Sequence, residues 1–330
     1  MGFGVFRLNW RIWSRPDLPD TASFDSSLQN MKAKNIQFLL LLTLLFFLAG
    51  CGRGLQNGEV RGKVLEVNSE DATLKISLTK RSGGDGEERL FSISDGDTMW
   101  LKPGREIRGV EIQKDEKRFL DQIFPASNRE ESHAYMCNQE LRNDTVERGS
   151  NPVREVGEEL PNFALIDQDG NLIDRNSLIG NTTVINFIFT RCTVAEMCPA
   201  TTMRTGALLQ QIKKESFPSV RLISMTMDPE YDTPGVLKAY AASYGVDDPQ
   251  YRFATGSLQA IRDLKKQLWI KAQPDPNLIL QHTMRTLLVG PDLKILYQVP
   301  GSKWEMEDFL GKIRRSVQDS SPPKEETEDK

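Results

Sequence analysis

Between residues 59 and 113, apolar and polar residues alternate in short runs, which is the pattern of half-buried β-strands. Leu74, Ile76 and Leu78, for example, alternate with polar residues in one such run. Turn residues such as Pro103-Gly104 separate the runs. Several strands in so short a stretch predict a small all-β domain, with the form of an OB-like barrel.

Residues 155–317 show longer apolar runs and helical spacing. The run from Val184 to Phe189 predicts a strand that is buried on both faces. Pro199 stands where a first helical residue is expected, so a helix should extend from there to about Lys214. A strand, two helices, a β-hairpin and an amphipathic helix are expected to follow. This order predicts an α/β domain of the thioredoxin-like type.

The remaining segments are polar. Residues 114–154 are expected to form a linker, and residues 318–330 a disordered tail. In the linker, His133 and Cys137 would share a helical face near Met136, because they are four residues apart. A second soft-metal site and an incidental thiol both remain open. We favour the incidental thiol, since two ligands do not close a metal site.

An apolar run from Phe38 to Gly50 follows two lysines near the N-terminus. It is shorter than the ~20 residues of a transmembrane helix, so residues 31–50 are expected to be a signal peptide. The run ends in Leu48-Ala49-Gly50-Cys51, which resembles the bacterial lipobox. That resemblance implies cleavage before Cys51 and lipid on its thiol.

A lipidated Cys51 would tether the chain to the cell membrane through residues 51–58, facing the periplasm or the cell exterior. An uncleaved signal anchor is the alternative, and it leaves the rest of the chain on the same side. Residues 1–30 are polar and precede the signal, whereas signal peptides begin near the initiating Met. We therefore hypothesise that translation starts at Met31 and that 1–30 is a misannotated extension. A genuine cytoplasmic extension is the alternative.

Composition narrows the function classes. The net charge is −4 and no basic patch with interleaved aromatic residues is visible, so nucleic-acid binding is not expected. The cysteines are Cys51, Cys137, Cys192 and Cys198. If Cys51 carries lipid, three thiols remain, and this odd number argues against a framework built only from disulfides.

The candidate chemistry lies at Cys192 and Cys198, which flank a short loop before Pro199. Two thiols this close in sequence are either a redox pair or half of a metal site. His282 lies far downstream and favours metal, because thiolate and imidazole together suit Cu(I). A helix N-terminus at Cys198 is expected to lower the pKa of its thiol. A structural disulfide between Cys192 and Cys198 is the plain alternative.

Four motifs in residues 155–317 resemble the Sco/SenC family of thioredoxin-like copper chaperones. They occur in the family's order: Pro161-Asn162-Phe163-Ala164-Leu165, Cys192…Cys198-Pro199, Met227-Asp228-Pro229-Glu230-Tyr231-Asp232-Thr233-Pro234 and Gln281-His282-Thr283. The family usually has three residues between its cysteines, whereas five intervene here. The longer loop can still bring the sulfurs together, because added loop length costs little closure entropy.

The resemblance implies that Cys192, Cys198 and His282 bind copper, as Cu(I) or Cu(II). It places Asp228 close to the metal or towards a partner, with capping of the loop as an equal alternative. Met197 is a minor candidate for a thioether ligand, and Asp232 is expected to be a helix N-cap. Small copper-binding barrels are sometimes fused to this family. Here only Met99 and Trp100 match them, so we interpret the barrel as scaffold.

The expected function is therefore that of a metallochaperone rather than an enzyme. By resemblance, it would deliver copper to the copper-bearing subunit of cytochrome c oxidase by ligand exchange, together with other copper chaperones or thiol reductants. The alternative is a thiol–disulfide oxidoreductase in which Cys192 and Cys198 cycle to keep the oxidase's cysteines reduced. His282 favours the copper function mildly. A peroxiredoxin-like peroxidase is disfavoured, since the usual Thr-x-x-Cys run is absent from the sequence.

Overall fold

A computed structural model describes residues 58–82, 84–270, 272–273, 281–301 and 304–319. The predicted extension, signal peptide and lipidation site at Cys51 lie outside these residues. The predicted disordered tail also lies outside them except for residues 318–319, which are helical and correct the predicted boundary. No helix of the described residues is long and apolar enough to span a membrane.

The N-terminal domain is a closed barrel of five strands in the order β1-β2-β3-β5-β4. Its strands are β1 (Glu59–Asn68), β2 (Thr73–Leu78), β3 (Glu88–Ser92), β4 (Glu106–Lys114) and β5 (Lys117–Pro125). The alternation in β2 is as the sequence predicts, with Leu74, Ile76 and Leu78 buried in the barrel core. A short helix, α1 (Asp95–Thr98), follows β3.

The fifth strand lies in the segment for which the sequence predicted a linker. β5 pairs with β4 along most of its length, but the register shifts between Arg108 and Val110. Gln122 in β5 adopts a left-handed backbone with φ of +52°. The two buried residues Leu120 and Ile123 are therefore three apart rather than two. This bulge removes the period-two alternation by which a strand is recognised.

The rest of the predicted linker contains a long helix, α2 (Asn128–Glu147), which is also a correction. Its surface is mostly polar, with Cys137, Leu141 and Thr145 buried. Asn138 fastens it to the next domain: its side chain donates to the carbonyl of Ala164 at 2.9 Å and accepts from its amide at 3.0 Å. Tertiary contact, rather than an apolar stripe, thus holds this helix in place.

The C-terminal domain is built on a seven-stranded sheet in the order β14-β13-β8-β9-β10-β6-β7. The strands are β6 (Ala164–Asp167), β7 (Leu172–Asp174), β8 (Thr182–Ile188), β9 (Val220–Thr226), β10 (Tyr251–Thr255), β13 (Arg285–Val289) and β14 (Ile295–Pro300). The helices are α3 (Cys198–Lys214), α4 (Pro234–Ser243), α5 (Leu258–Gln267) and α6 (Met306–Asp319). A separate two-stranded antiparallel sheet consists of β11 (Ala272–Gln273) and β12 (Gln281–His282).

Strand β8 is the centre of this domain. It pairs in parallel with β9 and antiparallel with β13, and all seven of its residues are buried. The helix α3 follows it after the cysteine-bearing loop. This strand, loop and helix, with the parallel strands and the terminal β-hairpin, confirm the predicted thioredoxin-like α/β fold.

The barrel packs tightly against the thioredoxin-like domain. Gly96 of α1 and Gly235 of α4 meet so closely that a Cβ on Gly96 would lie 2.2 Å from the carbonyl oxygen of Gly235. A second contact joins β5 to the loop before α4, where Gln122 Nε2 donates to the carbonyl of Glu230 at 2.9 Å. The barrel is therefore attached to the segment that follows Asp228.

Candidate metal centre

The structure brings Cys192 and Cys198 together. Cys198 is the first residue of α3 and is fully buried, while Cys192 is partly buried in the preceding loop. The two side chains share a hydrogen bond, and both cysteines are thiols rather than a disulfide. The alternative of a structural disulfide is therefore not the state of this structure.

Two tight turns explain how a five-residue spacing still closes. The amide of Cys192 donates to the carbonyl of Phe189 at 3.3 Å, and the amide of Met197 donates to that of Val194 at 3.0 Å. Each turn reverses the chain within the loop, and Met197 then occupies the N-cap of α3 without a side-chain cap. The extra residues are folded into turns, so the cysteine sulfurs stay adjacent.

The expectation that the helix N-terminus lowers the pKa of Cys198 is wrong for this structure. The hydrogen bond with Cys192 and the burial of the sulfur both raise the pKa of the Cys198 thiol. A hydrogen bond with the Phe189 backbone acts in the opposite direction but does not prevail. The helix effect is worth typically 0.3–1 kcal/mol, whereas burying a thiolate in an apolar site costs several times more. Without a metal, Cys198 keeps its proton.

Asp228 acts on the cysteine loop through Arg191. Its carboxylate accepts from Arg191 Nη2 at 2.5 Å and from Nε at 3.1 Å. The guanidinium also lies over the ring of Tyr231, 4.3 Å from its centroid. Because Arg191 directly precedes Cys192, this ion pair sets the course of the backbone next to the thiol.

Asp232 has a position that the sequence analysis missed. It does not cap α4: the N-cap is Thr233, whose hydroxyl accepts from the amide of Val236 at 3.4 Å. Instead the Asp232 carboxylate is fully buried and accepts hydrogen bonds from Thr190 and Thr226. Burial raises its pKa to about 6. The sequence could have identified Thr233 as the N-cap, because threonine is a preferred N-cap residue and proline is common at the first helical position that follows.

His282 lies in β12, where it pairs with Ala272 of β11. Its side chain is outside the described residues. The chain that follows returns to the cysteines: the sulfur of Met284 is 3.9 Å from the hydroxyl of Thr201, in the first turn of α3. Met284 is a buried thioether that the sequence analysis missed. Its contact brings the segment two residues after His282 to the first turn of α3, which begins at Cys198.

The predicted pairing of His133 and Cys137 on one helical face is present. Cys137 Sγ is 3.5 Å from His133 Nε2, which is also 2.8 Å from Asp174 Oδ2. Among the described residues, no group of three or more His, Cys, Asp or Glu side chains is arranged to hold a metal ion. The interpretation of Cys137 as an incidental thiol therefore stays a prediction.

The barrel residues Met99 and Trp100 have different surroundings. Trp100 is buried, and its indole Nε1 donates to Asp97 Oδ1 at 3.0 Å. Met99 is exposed. Trp100 is thus a core residue of the barrel, while the interpretation of this domain as scaffold stays a prediction.

Comparison with known proteins identifies the C-terminal domain. The SCO1/SenC family model matches residues 152–318. A SCO1 protein homolog of Bacillus subtilis is 34% identical over 146 residues, which are 43% of this chain and 74% of that protein. A protein of Stutzerimonas stutzeri described as copper-binding is 28% identical over 137 residues, 40% of this chain and 65% of that protein.

Among solved structures, a SCO1/SenC family lipoprotein from Bacillus anthracis is similar to this chain at 25% sequence identity. The match covers 50% of this chain and 99% of that chain, with a TM-score of 0.46. The family model covers the thioredoxin-like domain, and the barrel lies outside the residues that it matches.

Proposed function

Because this chain belongs to the SCO1/SenC family, we propose that it is a copper metallochaperone that holds copper through Cys192, Cys198 and His282. The observation that carries the proposal is the hydrogen-bonded thiol pair at the start of α3. The contact of Met284, two residues after His282, with Thr201 in the first turn of α3 supports the third ligand.

The donor set fits copper. Thiolate sulfur and imidazole nitrogen are the soft ligands that select Cu(I), and two sulfurs with one nitrogen complete a trigonal site. Copper binding would displace the thiol protons, because the thiolate is the ligand. Because the raised pKa of Cys198 keeps its thiol protonated, copper must displace a proton in order to bind. Copper affinity should therefore rise with pH.

Delivery would proceed by ligand exchange. Thiols of the recipient replace Cys192, Cys198 and His282 one at a time, so copper is never released to solvent. By the family resemblance, the recipient is the copper-bearing subunit of cytochrome c oxidase, and other copper chaperones or thiol reductants prepare the protein for loading. Lipid on Cys51 would hold the chain at the membrane outside the cytoplasm, where such an oxidase exposes its copper site.

The contact between the two thiols also favours a second candidate, a thiol–disulfide oxidoreductase. In that function Cys192 and Cys198 would lose two protons and two electrons to form a disulfide, while a disulfide of the oxidase subunit is reduced to two thiols. No step of this exchange needs His282. The two functions are compatible in one protein, because the reduced thiols can bind copper, whereas their oxidation to a disulfide removes the copper ligands.

The test is Cu(I) titration of the reduced protein against a competing chelator. The proposal expects one tightly held copper per chain, lost in Cys192→Ser and in His282→Ala. Matched controls are Cys137→Ser and His133→Ala, which remove a thiol and an imidazole from outside the centre and should leave binding unchanged. Full-strength binding by His282→Ala, or no binding together with rapid disulfide cycling, would favour the oxidoreductase instead.

A further inference from the structure

A groove of about 520 Å³ lies at the C-terminal end of α5, between that helix and the end of α2. Its lining includes Arg142, Val146, Lys265, Lys266, Trp269 and Ile270. Three of the described residues that line it are basic and none is acidic. The chain as a whole is acidic, with a net charge of −4, so this concentration of positive charge is local.

The lysines of the groove keep their charge available. Among the described residues, neither Lys265 nor Lys266 forms an ion pair, whereas Arg142 is joined to Asp263 at 3.1 Å. Lys265 is half-buried, and burial together with nearby Arg262 lowers the pKa of its ammonium group. Asp228 opposes this shift without balancing it. Unbalanced cations in a concave, partly dry surface attract an anionic partner.

Trp269 gives the groove an aromatic anchor. Its side chain is 44% exposed, and its backbone is left-handed with φ of +57°, which is unusual for a bulky residue. Its carbonyl accepts from the hydroxyl of Thr283 at 3.4 Å, and the Arg285 guanidinium lies 4.5 Å from its ring centroid. Trp269 directly follows the C-cap of α5, and the amide of Ile270 donates to the carbonyl of Lys265 at 2.7 Å, so the left-handed backbone closes the helix in a Schellman motif. The ring is thus fixed before a partner arrives.

Two interactions link the groove to segments of the candidate metal centre. Thr283, which bonds to Trp269, directly follows His282 in the sequence. Lys265 lies close enough to Asp228 to feel its charge, and Asp228 holds the arginine next to Cys192. A molecule seated in the groove would therefore contact Trp269, whose carbonyl is bonded to the residue that follows His282.

We propose that this groove docks an acidic segment of a protein partner, with an aromatic or apolar side chain of that segment resting on Trp269. That this partner is the copper recipient rests on the proposed function. The binding of an acidic segment in the groove does not depend on it. The concave shape favours a polypeptide over a membrane surface, since a flat bilayer cannot reach the groove floor. The volume lies within the range of roughly 300–1,000 Å³ typical of ligand sites, enough for a few side chains.

The test uses the copper-free full-length protein and a fluorescent peptide of alternating Glu and Tyr, with a Gln/Tyr peptide as its neutral match. We expect the acidic peptide to bind at least tenfold more tightly than the neutral one at low salt, and to weaken as salt is added. A Lys265→Gln/Lys266→Gln double variant and, separately, Trp269→Asn should each lose at least tenfold in affinity. Asparagine is chosen because it tolerates a left-handed backbone.

The matched control is Lys214→Gln, which removes an exposed lysine from the end of α3 and should change the affinity less than twofold. Equal peptide affinity for the wild type and both groove variants would overturn the proposal. Binding of phosphatidylglycerol vesicles that is lost in the groove variants, without peptide binding, would also overturn it in favour of a membrane surface.

Failure of the proposed function is distinguishable from failure of the groove. The peptide assay is repeated on Cys192→Ser, which should bind the peptide as the wild type does. The Cu(I) titration is repeated on the double lysine variant, which should bind copper as the wild type does. If the protein binds the peptide but no copper, the docking proposal stands, and only the identification of the partner as the copper recipient is lost.

Discussion

The carboxylate of Asp232 and the hydroxyl of Thr190 are 2.5 Å apart, and this buried contact joins the loop before α4 to the loop that carries Cys192. Asp232 also accepts from the amide of Thr190 at 3.2 Å and from the hydroxyl of Thr226, at the end of β9, at 2.5 Å. One side chain therefore fixes the start of the cysteine loop to the sheet.

The stability of the protein should depend on pH through Asp232. Burial raises its pKa to about 6 from 3.8, so the folded state holds a proton that the unfolded chain releases. The resulting stabilisation is complete below pH 3.8 and disappears as the pH rises through 6, a change of roughly 3 kcal/mol. Asp232→Asn cannot titrate, so its free energy of unfolding relative to wild type should increase by about that amount from pH 4 to 7.5.

Urea unfolding at several pH values measures this difference. Glu147→Gln, at the exposed end of α2, is the control and should follow the wild-type curve. A constant difference between Asp232→Asn and wild type across this pH range would show that the carboxylate is not protonated in the folded state.

The ion pair of Arg191 and Asp228 should matter more for copper than for folding. Arg191 is largely exposed, and exposed ion pairs are worth about 0–1 kcal/mol, so Arg191→Gln should change the free energy of unfolding by no more than that. If the proposed copper function is correct, the same change should weaken Cu(I) binding about tenfold or more, as is typical of groups that orient metal ligands.

Thermal melting and the chelator competition assay together check this prediction. Lys294→Gln breaks a similarly exposed pair with Asp292 in the β13–β14 hairpin and should alter neither quantity. Unchanged copper affinity in Arg191→Gln would mean that the Cys192 backbone keeps its course without the ion pair.

The elements that the sequence predicted correctly are those with local signals. The unbroken apolar run of β8 and the proline after Cys198 at the start of α3 lie in the sequence itself. β5 was missed because its bulge changes the spacing of Leu120 and Ile123. The pKa direction of Cys198 was wrong because it depends on burial and on Cys192, which are tertiary, whereas the helix N-terminus is local.

The docking of the barrel should tolerate no side chain at Gly96. An added Cβ would lie 2.2 Å from the carbonyl oxygen of Gly235, and backbone must move to relieve this overlap. Gly96→Ala should therefore destabilise the protein by about 1–3 kcal/mol, as overpacking typically does. Urea unfolding is the measurement.

Gly206→Ala is the matched control, because this glycine lies inside α3 and its added Cβ would meet no atom within 4 Å. It should stabilise the protein by about 0.5–1 kcal/mol, since alanine is the better helix former. Equal effects of the two substitutions would mean that the barrel moves away from α4 without cost.

Mild oxidation should join Cys192 to Cys198 and leave Cys137 as a thiol. The first two side chains are already in contact, whereas Cys137 lies on α2 with its sulfur 3.5 Å from His133 Nε2. Diamide accepts the two electrons and two protons that the pair releases, so the mass of the protein should fall by two hydrogen atoms. Alkylation after denaturation, on a Cys51→Ser background, should then label Cys137 alone. In Cys198→Ser the intramolecular disulfide cannot form, so the loss of two hydrogen atoms should be absent from the monomer treated in the same way. A disulfide that includes Cys137 in the wild type would contradict the arrangement of thiols described above.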